Sequence, residues 1–187
     1  LQIYGEILKE KNDRRWRIEH AQVMNPADFD AFGKYSIIPS VQPTHATSDM
    51  YWAGERLGNE RLKSAYAYKD LLKQNGWIAL GTDFPIEEIN PILTFYAAVA
   101  RKDSKNFPEK GFQTENALTR EETLRGMTVW AAKSAFEEKE KGSLEVGKYA
   151  DFVILSNDLM TVPENKILQT KVLQTWINGE NVYKNSK

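Results

Sequence analysis

Cysteine is missing from all 187 residues, and histidine occurs only twice. The first absence removes disulfides, thiolate nucleophiles and cysteine-based zinc sites, and leaves the redox compartment open. Any metal in this chain must be held by His, Asp, Glu or a modified Lys. An excess of either charge is missing too: 25 Lys and Arg stand against 26 Asp and Glu, a formal net charge of −1. No Lys/Arg-rich block and no basic stripe interleaved with aromatics offers a track for a phosphate backbone, so nucleic acid is not an expected partner. No apolar run approaches the roughly 20 residues that cross a bilayer, so no membrane span is expected. No glycine-rich phosphate loop follows any strand-like run, which weighs against nucleotide binding. A cytoplasmic location is the expectation; a secreted or periplasmic one requires a leader already removed.

What is present is an ordinary globular composition, 41% hydrophobic and 27% charged, in a chain long enough to bury a core. Leu1 to Lys9 reads as a helix already under way, with Leu1, Ile3, Tyr4, Ile7 and Leu8 on one face and no capping residue before it, as expected of a piece of something longer. Trp16 to His20 can be a short strand, and Asn25-Pro26-Ala27-Asp28 starts a helix that Gly33 should stop. Tyr35 to Gln42 is a second strand, followed by Pro43 to Asp49 as a polar loop. A helix from about Glu60 to Gln74 turns Leu62, Ala65, Tyr66, Leu71 and Leu72 inward, and Asn75-Gly76 closes it. Trp77 to Leu80 is a continuous apolar run of the kind found in buried parallel strands, and it delivers Gly81-Thr82-Asp83-Phe84-Pro85 at its end.

Asn90-Pro91 opens another helix to about Arg101, and Lys102 to Ala117 is the longest loop. Thr119-Arg120-Glu121-Glu122 is a capping box that predicts a helix to about Glu140. Beyond Gly142 the texture changes to short strands, Tyr149 to Leu155, Val172 to Ile177 and Asn181 to Lys184, with Asn178-Gly179 as a hairpin turn. The expected fold class is α/β: three βα units and a small β segment, the units forming either an open doubly wound sheet or part of a (β/α)8 barrel.

In both architectures the working residues sit just past the C-terminal ends of strands. His20, the Gln42 to Asp49 loop and Asp83 share that placement. An imidazole at His20 is either hydrogen-bonded to a nearby carboxylate or a metal ligand. Adjacent strand residues point to opposite faces, so Glu19 is not automatically its partner. Asp83 reads as a turn or N-cap residue, or as a carboxylate able to take a proton from water beside a metal. His45 is a solvated loop histidine or a substrate-pocket residue. Trp52 and Arg61 are weaker candidates, the first for loop packing and the second for a surface helix position. Glu87-Glu88 and the run Glu137 to Lys141 read as solvated faces.

Taken in order, Arg17-Ile18-Glu19-His20-Ala21-Gln22, Ser40-Val41-Gln42-Pro43-Thr44-His45 with Asp49, and Gly81-Thr82-Asp83-Phe84-Pro85 resemble the last three barrel strands of the metal-dependent amidohydrolase superfamily. Within it the resemblance is to amidohydrolase family 3, on the branch containing N-substituted formamide deformylase. The Leu118 to Leu124 segment, Gly142 to Leu155 and Val172 to Gly179 extend it over nearly the whole chain. The resemblance implies strands 6 to 8 of a TIM barrel over residues 1–141, with residues 142–187 as the C-terminal share of a small β-sandwich. It implies that His20 and Asp83 are metal ligands, that Asp83 is also the catalytic general base, and that Gln42, His45 and Asp49 line the substrate pocket.

The implied cofactor is a divalent metal, zinc by preference, as one or two ions in the intact enzyme. The implied substrate is a small amide or N-formyl compound. The family's first-strand His-x-His, fourth-strand lysine and fifth-strand histidine have no counterpart here. The expectation is therefore an inactive C-terminal fragment that self-associates through exposed barrel edges. The alternative is an α/β binding or interaction module without catalysis.

Overall fold

The computed structural model describes residues 1–186. Three short parallel strands, β1 (Arg17–Glu19), β2 (Ile38–Val41) and β3 (Ala79–Leu80), form one sheet in the order β1-β2-β3. A separate antiparallel sheet contains β4 (Phe152–Leu155), β5 (Val172–Ile177) and β6 (Glu180–Lys184). Eight α-helices complete the mixed α/β fold among the described residues. None of them is long and apolar enough to cross a membrane.

Central strand β2 is enclosed, with Ile38 and Val41 fully buried beneath flanking helices and only Ser40 partly exposed. The first helix, α1 (Gln2–Leu8), buries Gly5 and Leu8 but leaves Ile3 and Ile7 exposed. Its buried stripe is thus narrower than the five apolar residues suggest. Asn25 caps the next helical segment as expected, its side chain accepting from Ala27 N. That segment is a 3-10 turn, Pro26–Asp28, leading into α2 (Phe29–Lys34). Gly33 is not the stop: it lies inside α2, where a Cβ would come within 2.2 Å of the Gln74 carbonyl oxygen. Glycine is required there by close approach, not by a left-handed turn.

The stretch read as a polar loop is helix α3 (Pro43–Asp49), with Pro43 to Thr47 all buried. Thr47 donates to the Thr44 carbonyl and Ser48 to Glu87, so a polar composition does not force exposure, although the buried Thr44 hydroxyl has no partner among the described residues. The helix expected from Glu60 to Gln74 is two helices, α4 (Ala53–Leu62), kinked at Gly58, and α5 (Tyr68–Asn75). They are separated because residues 64–66 pair with the chain after β1: Tyr66 N–H donates to the Gln22 carbonyl at 2.7 Å, and Val23 bridges Ala65. Those backbone groups are lost to the helix, yet Ala65, Tyr66, Leu71 and Leu72 are buried as the pattern requires.

Helix α6 (Pro91–Ala100) is capped by Asn90 at its start, and at its end the backbone N–H of fully buried Arg101 donates to the Ala97 carbonyl. Arg101 holds the following loop by donating to the Phe112 carbonyl at 2.9 Å, and burial lowers the pKa of its guanidinium. The capping box at Thr119 and Glu122 is present at the start of α7 (Arg120–Met127). That helix does not run to Glu140. It breaks at Thr128, resumes as α8 (Val129–Ser134), and stops. The returning chain causes the break, since Gly142 packs so close that a Cβ there would lie 3.1 Å from both the Thr128 oxygen and Val129 Cα. A second apolar cluster joins Ile92, Phe95 and Tyr96 of α6 to Leu159 and Ile167. The β5–β6 hairpin turns at Asn178 and Gly179, both with positive φ, as the sequence signal demands.

Glu138, within the acidic run read as solvated, is instead gripped by Arg15. Two hydrogen bonds of 2.8 and 2.7 Å join them, and the guanidinium also donates to the Lys133 carbonyl and stacks on Phe136. This clasp ties the approach to β1 to the chain leaving α8.

Replacing Gly33 by Ala should cost about 1–3 kcal/mol through overpacking, although the same change in an open helix would stabilise. Chemical denaturation measures this, and an unchanged midpoint would exclude the close approach. Hydrogen bonds from Arg15 lower the Glu138 pKa from 4.5 to about 2. The folded value lies below the unfolded one, so this stabilisation is complete above about pH 4.5 and is lost as pH falls toward 2. Melting curves of wild type and Glu138→Gln should therefore differ at neutral pH and converge in acid.

Candidate metal centre

Pairing of Glu19 with Ser40, and of Val41 with Leu80, ends the three parallel strands in one row. The next residues of each strand therefore emerge on a common rim. His20 follows β1 in a tight turn, closed by Ala21 N–H donating to the Glu19 carbonyl at 2.9 Å, with φ +67°. Asp83 follows β3, also left-handed, with φ +60°. His and Asp are among the non-glycine types most often found with positive φ, yet such backbone still costs on the order of 1–3 kcal/mol each. His45 arrives differently, on the first turn of buried α3.

The three side chains meet. His45 Nε2 lies 3.3 Å, and His20 Nδ1 4.0 Å, from the same Asp83 Oδ2. The imidazole rings stack with centroids 5.6 Å apart. One ligand atom from each residue falls within 4.8 Å of the others, and no other group of three His, Asp or Glu does so among the described residues. His45 is 9% exposed at its side chain and His20 48%, so the cluster is anchored on the α3 side and open on the β1 side. It faces a cavity of about 590 Å³, within the range of small-molecule sites.

Around the cluster, two further carboxylates are held in place. Asp49 Oδ2 accepts from Gln22 Nε2 at 2.6 Å and from the Tyr66 hydroxyl at 2.9 Å. Burial first, and also the bond to Asp49, push the Tyr66 phenol up to about 12. Glu87 Oε1 lies 2.9 Å from His45 Nδ1 and accepts from Ser48 Oγ at 2.6 Å. Glu87 is therefore not on a solvated face: it packs against α3 and lines the cavity. The signal available in the sequence was its place four residues after Asp83, on the same post-strand segment. Ser48 sits one helical turn from His45 and shares its face.

Of the other sequence candidates, Asp49 and Trp52 line the cavity. Gln42 does not. It is buried beside the rim, its Oε1 has no hydrogen-bond partner, and its carbonyl accepts from Tyr68. Arg61 folds back on its own helix, donating to the Leu57 and Arg56 carbonyls. Glu19 pairs with Arg17 and takes no part.

Two imidazoles and one carboxylate within reach of one point make a donor set that fits a divalent cation. Three protein donors is also the usual number at catalytic zinc. Asp83 Oδ2 is the atom both histidines approach, so it is the oxygen through which such a site would be knit together.

The chain is similar to proteins already described. It is 37% identical over 172 residues to the protein LONG AFTER FAR-RED 3 of Arabidopsis thaliana, covering 91% of this chain and 29% of that protein. It is 26% identical over 184 residues to the N-substituted formamide deformylase of Arthrobacter pascens, covering 96% of this chain and 33% of that enzyme. In structure it is similar to an uncharacterized metal-dependent hydrolase of Pyrococcus horikoshii OT3, with a TM-score of 0.69 and 34% identity over 80% of this chain and 30% of that one. The chain thus spans about a third of the length of the curated relatives it matches. Residues 7–183, from α1 to β6 and including all three residues of the cluster, match the amidohydrolase family, and the chain belongs to that family.

Proposed function

We propose that this chain is the C-terminal third of a metal-dependent hydrolase that cleaves an amide or N-formyl C–N bond with water. The observation that carries this reading is the convergence of His20, His45 and Asp83 on one point at the strand ends. The order β1-β2-β3, without reversal, supports strands 6 to 8 of a (β/α)8 barrel over residues 1–141, and residues 142–187 would be the C-terminal share of a small β-sandwich. His20 and Asp83 would hold the cation, and imidazole ligation favours zinc, as one or two ions. When bound, such an ion supplies Lewis acidity to a carbonyl and acidity to a water.

The chain's own residues would do the rest. Asp83, whose Oδ2 faces both imidazoles, would take a proton from the attacking water as general base. His45 and Asp49 would face the substrate from α3, and buried Gln42 would support them from beneath. The cavity, lined on its outer side by Trp52 and Ile86, suits a small amide with an apolar substituent. The remaining ligands would come from residues preceding this segment in the intact protein.

In the intact protein, His20→Ala and Asp83→Ala should each remove bound metal and lower formamide or amide hydrolysis by about 10²–10⁴-fold. Metal analysis by mass spectrometry and assay against N-substituted formamides test this together; unchanged metal content and turnover in both variants would sink the hydrolase reading. The 187-residue chain alone should bind zinc weakly, hydrolyse nothing, and self-associate. The last expectation rests on its exposed strand edges and exposed apolar side chains such as Ile3, Val23, Ile86 and Ile89. Light scattering showing a clean monomer, or robust zinc-dependent turnover by the chain alone, would overturn the fragment proposal.

A further inference from the structure

We infer that Glu87 is a positioning residue that acts through His45, fixing which ring nitrogen carries the proton and thereby what His45 can do beside Asp83. The inference rests on the hydrolase reading only for its effect on catalysis; its structural content stands on geometry alone.

Glu87 Oε1 lies 2.9 Å from His45 Nδ1, and the same oxygen accepts from Ser48 Oγ at 2.6 Å. A carboxylate oxygen accepts, so the proton of this contact belongs to Nδ1. The pair is well sheltered, with side-chain exposures of 9% for His45 and 18% for Glu87, and it closes a loop of 42 residues between α3 and the segment after β3. Ser48, one turn along α3, pins the carboxylate from the helix side, so neither the ring plane nor the carboxylate is free to swing. An isolated imidazole has no such constraint and exchanges its two tautomers in water.

In the neutral ring, Nδ1 donating to Glu87 leaves Nε2 as the acceptor. It points at Asp83 Oδ2 across 3.3 Å, where a second acceptor faces it. Two lone pairs this close are favourable only toward a shared positive or hydrogen-bearing group. Only a group lying off the line between them, on the open His20 side of the cavity, can meet both atoms. Glu87 thus sets His45 to present a bare Nε2, rather than an N–H, beside Asp83. Carboxylates holding histidines in this way are a general device for setting tautomer and ring orientation.

The test uses the intact protein labelled with ¹⁵N-histidine, with His45→Gln identifying the signals of this ring. In wild type the long-range proton–nitrogen spectrum should give Nδ1 as the protonated nitrogen and Nε2 as the bare one. Glu87→Ala should transfer the proton largely to Nε2 and lower kcat/KM on N-substituted formamides by about 10–100-fold. Glu87→Gln keeps an accepting oxygen, so it should retain the wild-type tautomer and most of the activity. Unchanged ring nitrogens in a folded Glu87→Ala protein would overturn the inference, as would a Glu87→Gln protein whose ring switches like that of Glu87→Ala. A tautomer switch in a protein that hydrolyses none of the formamides upholds the role of Glu87 on His45 and counts against the hydrolase reading alone.

Discussion

Strand β2 is paired on both edges, through Ser40 to Glu19 on one side and to Ala79 on the other, and everything at the candidate centre follows from that register. A shift of one residue would turn each side chain to the opposite face of the sheet. It would also move His20 or Asp83 by more than 3 Å along the strand direction, enough to break a cluster whose ligand atoms lie within 4.8 Å. The helices that clamp β2 therefore serve the site as directly as the residues in it. Ile38 and Val41 are fully buried, while Gly33 lets α2 approach the end of α5 and Gly126 lets α7 approach β3.

Local strain and local order are distributed unevenly over this rim. His20 and Asp83 sit in left-handed backbone on loops, whereas His45 sits on a buried helix braced by Glu87 and Ser48. Strained loops need a surrounding structure that over-determines them. Here the burial of α3, the Gln22 contacts to Asp49 and Tyr66, and the pairing of Val23 with Ala65 supply it. The same bridge that interrupts the helical run between α4 and α5 brings Tyr66 under Asp49, so a departure from helical regularity is part of how the cavity wall is built.

Membership of the amidohydrolase family and the short span of this chain relative to its relatives bear on one another. Three strands present the rim residues in register, but β1 and β3 each leave an edge unpaired within the sheet. Apolar side chains stand exposed on α1 and on the segment after Asp83, and both are surfaces that further chain could cover.

The sequence by itself determined the α/β class, the three strand–helix units, the caps at Asn25, Asn90 and Thr119, the Asn178-Gly179 hairpin, and the placement of His20, His45 and Asp83 after strands. These are local signals: periodicity, capping chemistry and turn residues act over a few neighbouring positions. Tertiary structure alone decided that Pro43 to Asp49 is helical and buried, that the long runs at 60–74 and 119–140 each break, and that Gly33 is a contact rather than a stop. It also decided that Glu87 and Glu138 are bound rather than solvated. The deciding partners lie far along the chain, Gln74 for Gly33, Gln22 for Tyr66, His45 for Glu87 and Arg15 for Glu138, or on the returning chain at Gly142, and a carboxylate or a helical run carries no mark of what will be folded against it.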